Sequence, residues 1–211
     1  MIKLFFDIET IEDVSVPLEI REKNKEKYWD DYNFLPEFHR ILCISCGYRT
    51  KSLSKTEDQE EIKIKSFSLI WSKDVSESEK QMIVDFYKAI DWVILWGFNI
   101  KNFDIPFIIK RWLKLWIPVP TSLRSFGKKP WEFDNLIDLY DVYKFMGRTS
   151  ANLENVCLMV WIPTPKDGID WSQVQEYFNQ WKIQEIVDYC ERDVEASILV
   201  YEKFKELNVI F

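Results

Sequence analysis

The stretch IKLFFDIE at residues 2–9 restricts the fold more than any other: an apolar run of strand character leads directly into Asp7 and Glu9. Side chains of an extended strand alternate between faces, so these two acids share one face, roughly 7 Å apart along the backbone. Carboxylates that close repel each other. A solvated turn, a cap on a following element, or a cation held between them would each relieve the repulsion. This segment by itself leaves all three open.

With 211 residues, 47% of them hydrophobic and 30% charged, the chain can bury one sizeable core and is unlike a disordered sequence. The strand pattern starts within a residue of Met1, leaving no room for a leader peptide, and no apolar run approaches membrane-spanning length. The expectation is a soluble cytoplasmic protein with a single domain over residues 1–211 and no membrane association. Cys43 and Cys46 form a C-x-x-C, but within the strand-like RILCISCGY residues three apart face opposite sides, which argues against a zinc or redox pair. The single histidine, His39, precedes that strand and reads as a turn or packing residue.

A net charge of −7 argues against a nucleic-acid partner, yet the charge is unevenly spread. Residues 101–150 hold nine Lys/Arg against five Asp/Glu, leaving 19 against 30 elsewhere, so one locally basic face is compatible with an acidic chain. Strand patterns fall near 2–7, 41–48, 62–69, 92–96 and 135–138, and helical patterns over 77–90, 105–115, 139–146, 151–160, 171–179 and 182–206. IREKNKEKYWDDYN reads as a charged helical or loop insertion, and TKSLSKTEDQEE as a polar loop. Three strands followed by alternating strands and helices suit an α/β domain whose mixed sheet joins an antiparallel meander to parallel additions.

Two further acidic positions stand out. In ILWGFNIKNFDIPFIIKRWL a strand stops at Gly97, and Pro106 in the first helical turn makes Asp104 an N-cap. Capping explains that carboxylate, but so does a ligand site at the strand-to-helix mouth of the sheet. In IVDYCERDVEASILVYEKF, Tyr189 and Asp193 lie one helical turn apart on one face, while Asp188, Glu191 and Glu195 read as a solvated face.

Taken together, FFDIET, GFNIKNFDIPF and YCERDVEAS resemble the three motifs of the DEDD superfamily of 3′–5′ exonucleases, tyrosine subclass, in the family's order. The chain is most similar to the predicted exonucleases related to the proofreading domain of family B DNA polymerases. LPEFHRILCIS, KKPWEFDNLIDL and IPTPKDGID resemble that group's intervening segments. The resemblance implies a ribonuclease H-like fold, metal-binding carboxylates at Asp7, Glu9, Asp104 and Asp193, and an accessory tyrosine at Tyr189. No histidine stands near that last motif, which sets the histidine subclass aside.

The implied chemistry is hydrolysis at the 3′ end of single-stranded DNA, or of RNA, releasing 5′-mononucleotides with two Mg²⁺ or Mn²⁺ ions about 3.5–4 Å apart. Asp7 would bridge both ions, Glu9 and Asp193 would hold the water-activating one, and Asp104 would support the other through bound water. Substrate contacts are implied at Ile8, Thr10, Asn99, Phe103 and Tyr189, with Phe6 a further wedge candidate and Lys128, Lys129, Lys144 and Arg148 candidates for phosphates. A DNA replication or repair partner fits the resemblance, as does a nucleic-acid-binding module that has lost catalysis.

Ten tryptophans against five glycines is an inverted balance. LKLWIPVP and LMVWIPTP each end a helix on Trp where a left-handed glycine is expected. Glycine is also what the resembling group would carry at Trp116, Trp161, Trp171 and Trp181. The hypothesis is that the source reads UGA as glycine at these four positions; UGG codons in the gene would end it.

Overall fold

The computed structural model describes residues 2–51, 60–69, 75–90, 93–124, 127–129, 132–145, 147, 150–165 and 168–210. Strands β1 (Lys3–Glu12), β2 (His39–Lys51) and β3 (Glu60–Ser68) form an antiparallel meander. Strands β4 (Ile94–Gly97) and β5 (Leu136–Asp138) extend it in parallel beyond β1, giving the order β3-β2-β1-β4-β5. This is the mixed α/β sheet expected.

One difference concerns β1, which does not end at Asp7. Ile8 and Ile11 continue the apolar pattern, and pairing with β2 persists through Glu12↔His39, with an irregularity between Glu9 and Thr10. The acids thus sit inside a strand, in the position where a bulge re-aims side chains.

Helices α1 (Leu18–Tyr28), α2 (Val75–Ala89), α3 (Asp104–Lys114), α4 (Leu139–Lys144), α5 (Leu153–Met159), α6 (Val174–Asn179) and α7 (Ile183–Glu206) flank the sheet. The charged insertion is α1 followed by a 3₁₀ turn at Trp29–Phe34, and α1 buries none of its residues. Leu4, Phe6 and Ile8 of β1 join one core cluster with Phe86 of α2 and Phe107, Ile108 and Trp112 of α3. Phe5, on the opposite face, joins a second cluster with Val194, Ile198 and Tyr201 of α7.

A glycine sets the approach of α7 to the sheet. A Cβ at Gly47 of β2 would lie 2.8 Å from Val194 Cγ1, so no other residue admits the helix this closely. All four cysteines are free and buried, so the C-x-x-C forms no disulfide. Among the described residues no helix is long and apolar enough to cross a membrane.

Trp116, Trp161 and Trp181 have φ of 58°, 59° and 63°, the left-handed geometry expected of helix-ending glycines. Trp171 differs: it begins a 3₁₀ turn at Trp171–Gln173, capped by Asp170, whose carboxylate accepts from Ser172 N at 2.8 Å. Trp29, at the end of α1, also has positive φ, 46°, and sequence analysis did not single it out. Left-handed backbone costs an L-residue about 1–2 kcal/mol. Trp116 and Trp161 are 92% and 93% exposed, so removing their rings sacrifices little packing. Trp116→Gly and Trp161→Gly should therefore each raise unfolding stability by about 1 kcal/mol, read from the urea midpoint, with no comparable gain from Trp171→Gly. Unchanged or lowered midpoints for the first two would contradict this.

Candidate active site

Strand β1 brings Asp7 and Glu9 to the face covered by α7. There Asp193 meets them: one carboxylate oxygen from each of the three lies within 4.8 Å of the others. Tyr189, one turn earlier on α7, is hydrogen-bonded to Asp193. Cys190, fully buried between them, donates its thiol to Asp7 O at 3.4 Å and Asp7 Oδ2 at 3.5 Å.

Asp104 reaches the same centre from a different direction. β4 pairs with β1 only as far as Phe5↔Trp96, and the chain then leaves the sheet at Gly97, where a Cβ would strike Ile100 Cγ2 at 2.3 Å and Phe6 O at 2.8 Å. Further along β1, the Ile8 N–H donates to Asp104 Oδ1 at 3.1 Å. Sequence analysis expected Asp104 to be the N-cap of α3; it is instead the first residue of the helix, and Phe103 holds the N-cap position. The carboxylate satisfies a buried strand N–H as well as the backbone N–H of its own residue.

The 98–103 loop is held by a residue that sequence analysis missed. Asp138, at the end of β5, is buried and accepts from Asn99 N at 2.7 Å, Lys101 N at 2.9 Å and Tyr140 N at 2.9 Å. The first bond secures the left-handed turn at Asn99, φ 64°, a conformation asparagine tolerates. An aspartate on the border between a strand pattern and a helix pattern was the available sign, since it caps α4.

A cavity of about 630 Å³ opens over the centre. Asp7, Glu9, Tyr189 and Asp193 line it, as do Ile8, Thr10, Asn99 and Phe103; Asp104 lies behind them, buried. Phe6 does not line it, because its ring packs against Phe86 at 5.6 Å in the core. Lys128 and Lys144 lie over the rings of Phe133 and Tyr140 and are not on the cavity wall; nor is Lys129. Arg148 is outside the described residues. Lys25 and Lys110 are the lysines that line the cavity. His39 also lines it and begins β2; its buried ring meets Tyr32 edge-on at 5.0 Å, in keeping with a packing role. Glu191 departs from the expected solvated face, accepting from Ser66 Oγ at 2.6 Å.

Burial first, and Cys190, Asp104, Asp193 and Glu9 beyond it, push the Asp7 carboxyl well above the usual range. Glu9 is raised likewise by burial, then by Asp193 and Asp104. Asp104 is raised to about 8, again chiefly by burial, although its bonds to backbone N–H groups oppose the shift. Clustered oxygens that cannot all be ionised alone are a donor set that fits a hard divalent cation.

A pH dependence follows. The folded protein holds protons here that the unfolded chain releases near pH 4, so without divalent cations stability falls as pH rises from about 4 towards 8. In EDTA the melting temperature should drop by about 5 °C or more between pH 5 and pH 8, and millimolar Mg²⁺ should remove the drop. A melting temperature insensitive to both would contradict the charge coupling.

The fold is similar to that of the family B DNA polymerase from the hyperthermophilic archaeon Pyrobaculum calidifontis, with a TM-score of 0.58 and 18% identity over 98% of this chain and 25% of that one. The likeness is one of fold, ribonuclease H-like, and the chain spans about a quarter of that polymerase's length. None of the curated proteins matches. A family described as predicted 3′–5′ exonucleases related to the exonuclease domain of PolB matches residues 22–210, a span that begins after β1. The chain belongs to this family of predicted PolB-like 3′–5′ exonucleases.

Proposed function

We propose that the protein is a 3′–5′ exonuclease of the tyrosine subclass of the DEDD superfamily, which removes 5′-mononucleotides from the 3′ end of single-stranded DNA. The observation that carries this reading is the convergence of Asp7, Glu9 and Asp193 oxygens, with Tyr189, on one open cavity. Asp7, Glu9 and Asp193 would hold Mg²⁺ or Mn²⁺, with Asp104 adding negative charge from behind. Two such ions, when bound, neutralise the phosphodiester and make water nucleophilic.

Tyr189 keeps its proton. Burial first, then Asp193, Glu9 and Asp7, hold its hydroxyl far above the usual phenol range in the metal-free protein, and even an ordinary phenol, with a pKa of about 10, would orient water or phosphate by hydrogen bonding at neutral pH. Thr10, Asn99 and Phe103 on the cavity wall would position the terminal nucleotide, and Asp138 keeps Asn99 in place through the backbone. A cytoplasmic site of action and one domain over the whole chain complete the reading.

Oligonucleotides of DNA and RNA labelled at either end test it. With Mg²⁺ or Mn²⁺, a 3′ label should leave at once as mononucleotide, a 5′ label should give a descending ladder, and EDTA should stop both. Faster loss of RNA would make RNA trimming the activity. Binding without cleavage, or internal cuts, would contradict the proposal.

A further inference from the structure

Beyond the acids, the same cavity continues along a wall that the metal chemistry does not use. Phe34, which ends the 3₁₀ turn after α1, stands on it 47% exposed. Its ring meets Phe103 edge-on, with centroids 5.6 Å apart and planes at 87°, and Phe103 in turn packs against Phe107 at 5.5 Å. Phe34 is thus held by the loop that leads into Asp104. Trp171 lies 6.1 Å from it, but Phe103 supports it whichever residue stands at 171. Two exposed ammonium groups, Lys25 of α1 and Lys110 of α3, line the cavity too.

An aromatic shelf and two cations on the wall of one cavity, shared with a carboxylate cluster, suit the alternation of bases and phosphates along a strand. We propose that Phe34, buttressed by Phe103, forms with Lys25 and Lys110 a second nucleotide subsite, which takes an unpaired base and its phosphate upstream of the 3′-terminal nucleotide. The inference rests on the exonuclease reading only for the direction of the strand. It names the substrate as one with at least one unpaired nucleotide behind its end, because a base still paired in a duplex has no free face to stack on Phe34.

Binding of fluorescein-labelled dT8, followed by anisotropy in Ca²⁺, tests the subsite separately from turnover. Phe34→Ala should weaken binding roughly 10-fold, and Phe34→Tyr should restore it. Lys25→Met and Lys110→Met should each flatten the dependence of log affinity on log salt by about 0.7. An abasic residue moved stepwise from the 3′ end should weaken wild-type binding sharply at one upstream position and leave Phe34→Ala unaffected there. Wild-type binding with that abasic signature but no cleavage would retain the subsite and remove the nuclease. Phe34→Ala binding dT8 as tightly as wild type, or feeling every abasic position as wild type does, would overturn the proposal.

Discussion

Asp7→Ala is expected to lower the rate of mononucleotide release by roughly 10³-fold or more, with the fold retained. Asp7 supplies one of the three carboxylate oxygens that lie within 4.8 Å of one another, it feels the charges of Asp104, Asp193 and Glu9, and Cys190 donates to it. Its removal takes away a donor that no neighbour replaces. The fold should not suffer, since the carboxyl is raised in the folded state and its ionised form opposes folding near neutral pH. In EDTA at pH 8 the variant should melt at or above the wild-type temperature while Mg²⁺ no longer raises it. Asp7→Asn, which keeps the size and removes the charge, should be as inactive. Activity within 10-fold of wild type in either variant would contradict the assignment.

Arg111→Ala is expected to cost about 3–5 kcal/mol of unfolding free energy, the largest stability effect of any single substitution considered. The guanidinium of Arg111, 1% exposed, donates to Glu79 at 2.7 and 2.5 Å, to Asp13 Oδ2 at 3.2 Å and to Pro36 O at 3.0 Å. Glu79 also accepts from Ile41 N at 3.0 Å, while Asp13 keeps Arg40 and the ammonium of Lys114 at 2.9 Å. Burial raises Asp13, yet hydrogen bonds from Ser15, Arg40 and Lys114 outweigh it and hold the carboxyl far below its usual range. The network joins Asp13, which directly follows β1, to β2, α2 and α3, so it ties the helix that begins at Asp104 to the end of the strand that carries Asp7. Truncating Arg111 leaves Glu79 buried without its cation. Combining Arg111→Met with Glu79→Leu should therefore cost much less than the sum of the two single changes. Urea unfolding followed by circular dichroism measures this, and additive losses would argue against the network.

The local placement of the acidic residues was legible because each motif lies within a short stretch of chain. The strands and helices fell close to their expected places for the same reason. Strand alternation put Asp7 and Glu9 on one face and helical spacing put Tyr189 beside Asp193, but that these and Asp104 belong to one site was implied by the resemblance of the three motifs to the DEDD exonucleases. Residues whose meaning comes from distant partners were not legible. Asp13, Arg40, Glu79 and Arg111 look like ordinary surface charges in the sequence, and only the packing of α2 and α3 on the sheet buries them together. Phe34 lies in a charged insertion, with nothing local to show that it faces Phe103. Sequence analysis read Asp104 as a helix cap or a ligand, and its bond to Ile8 N–H was not foreseen because that strand lies 96 residues earlier. Trp116 and Trp161 were legible through their place at helix ends, whereas Trp171 and Trp181 were expected by resemblance alone; Trp181 has the left-handed backbone and Trp171 sits in a different conformation.

The central claim, that β1 and α7, far apart in sequence, build one divalent-cation centre, is tested most directly by anomalous scattering from crystals grown with Mn²⁺ and thymidine 5′-monophosphate. Manganese should appear in the cavity within ligand distance of the Asp7, Glu9 and Asp193 carboxylates. Manganese bound elsewhere on the protein, with none at Asp7, Glu9 and Asp193, would contradict it.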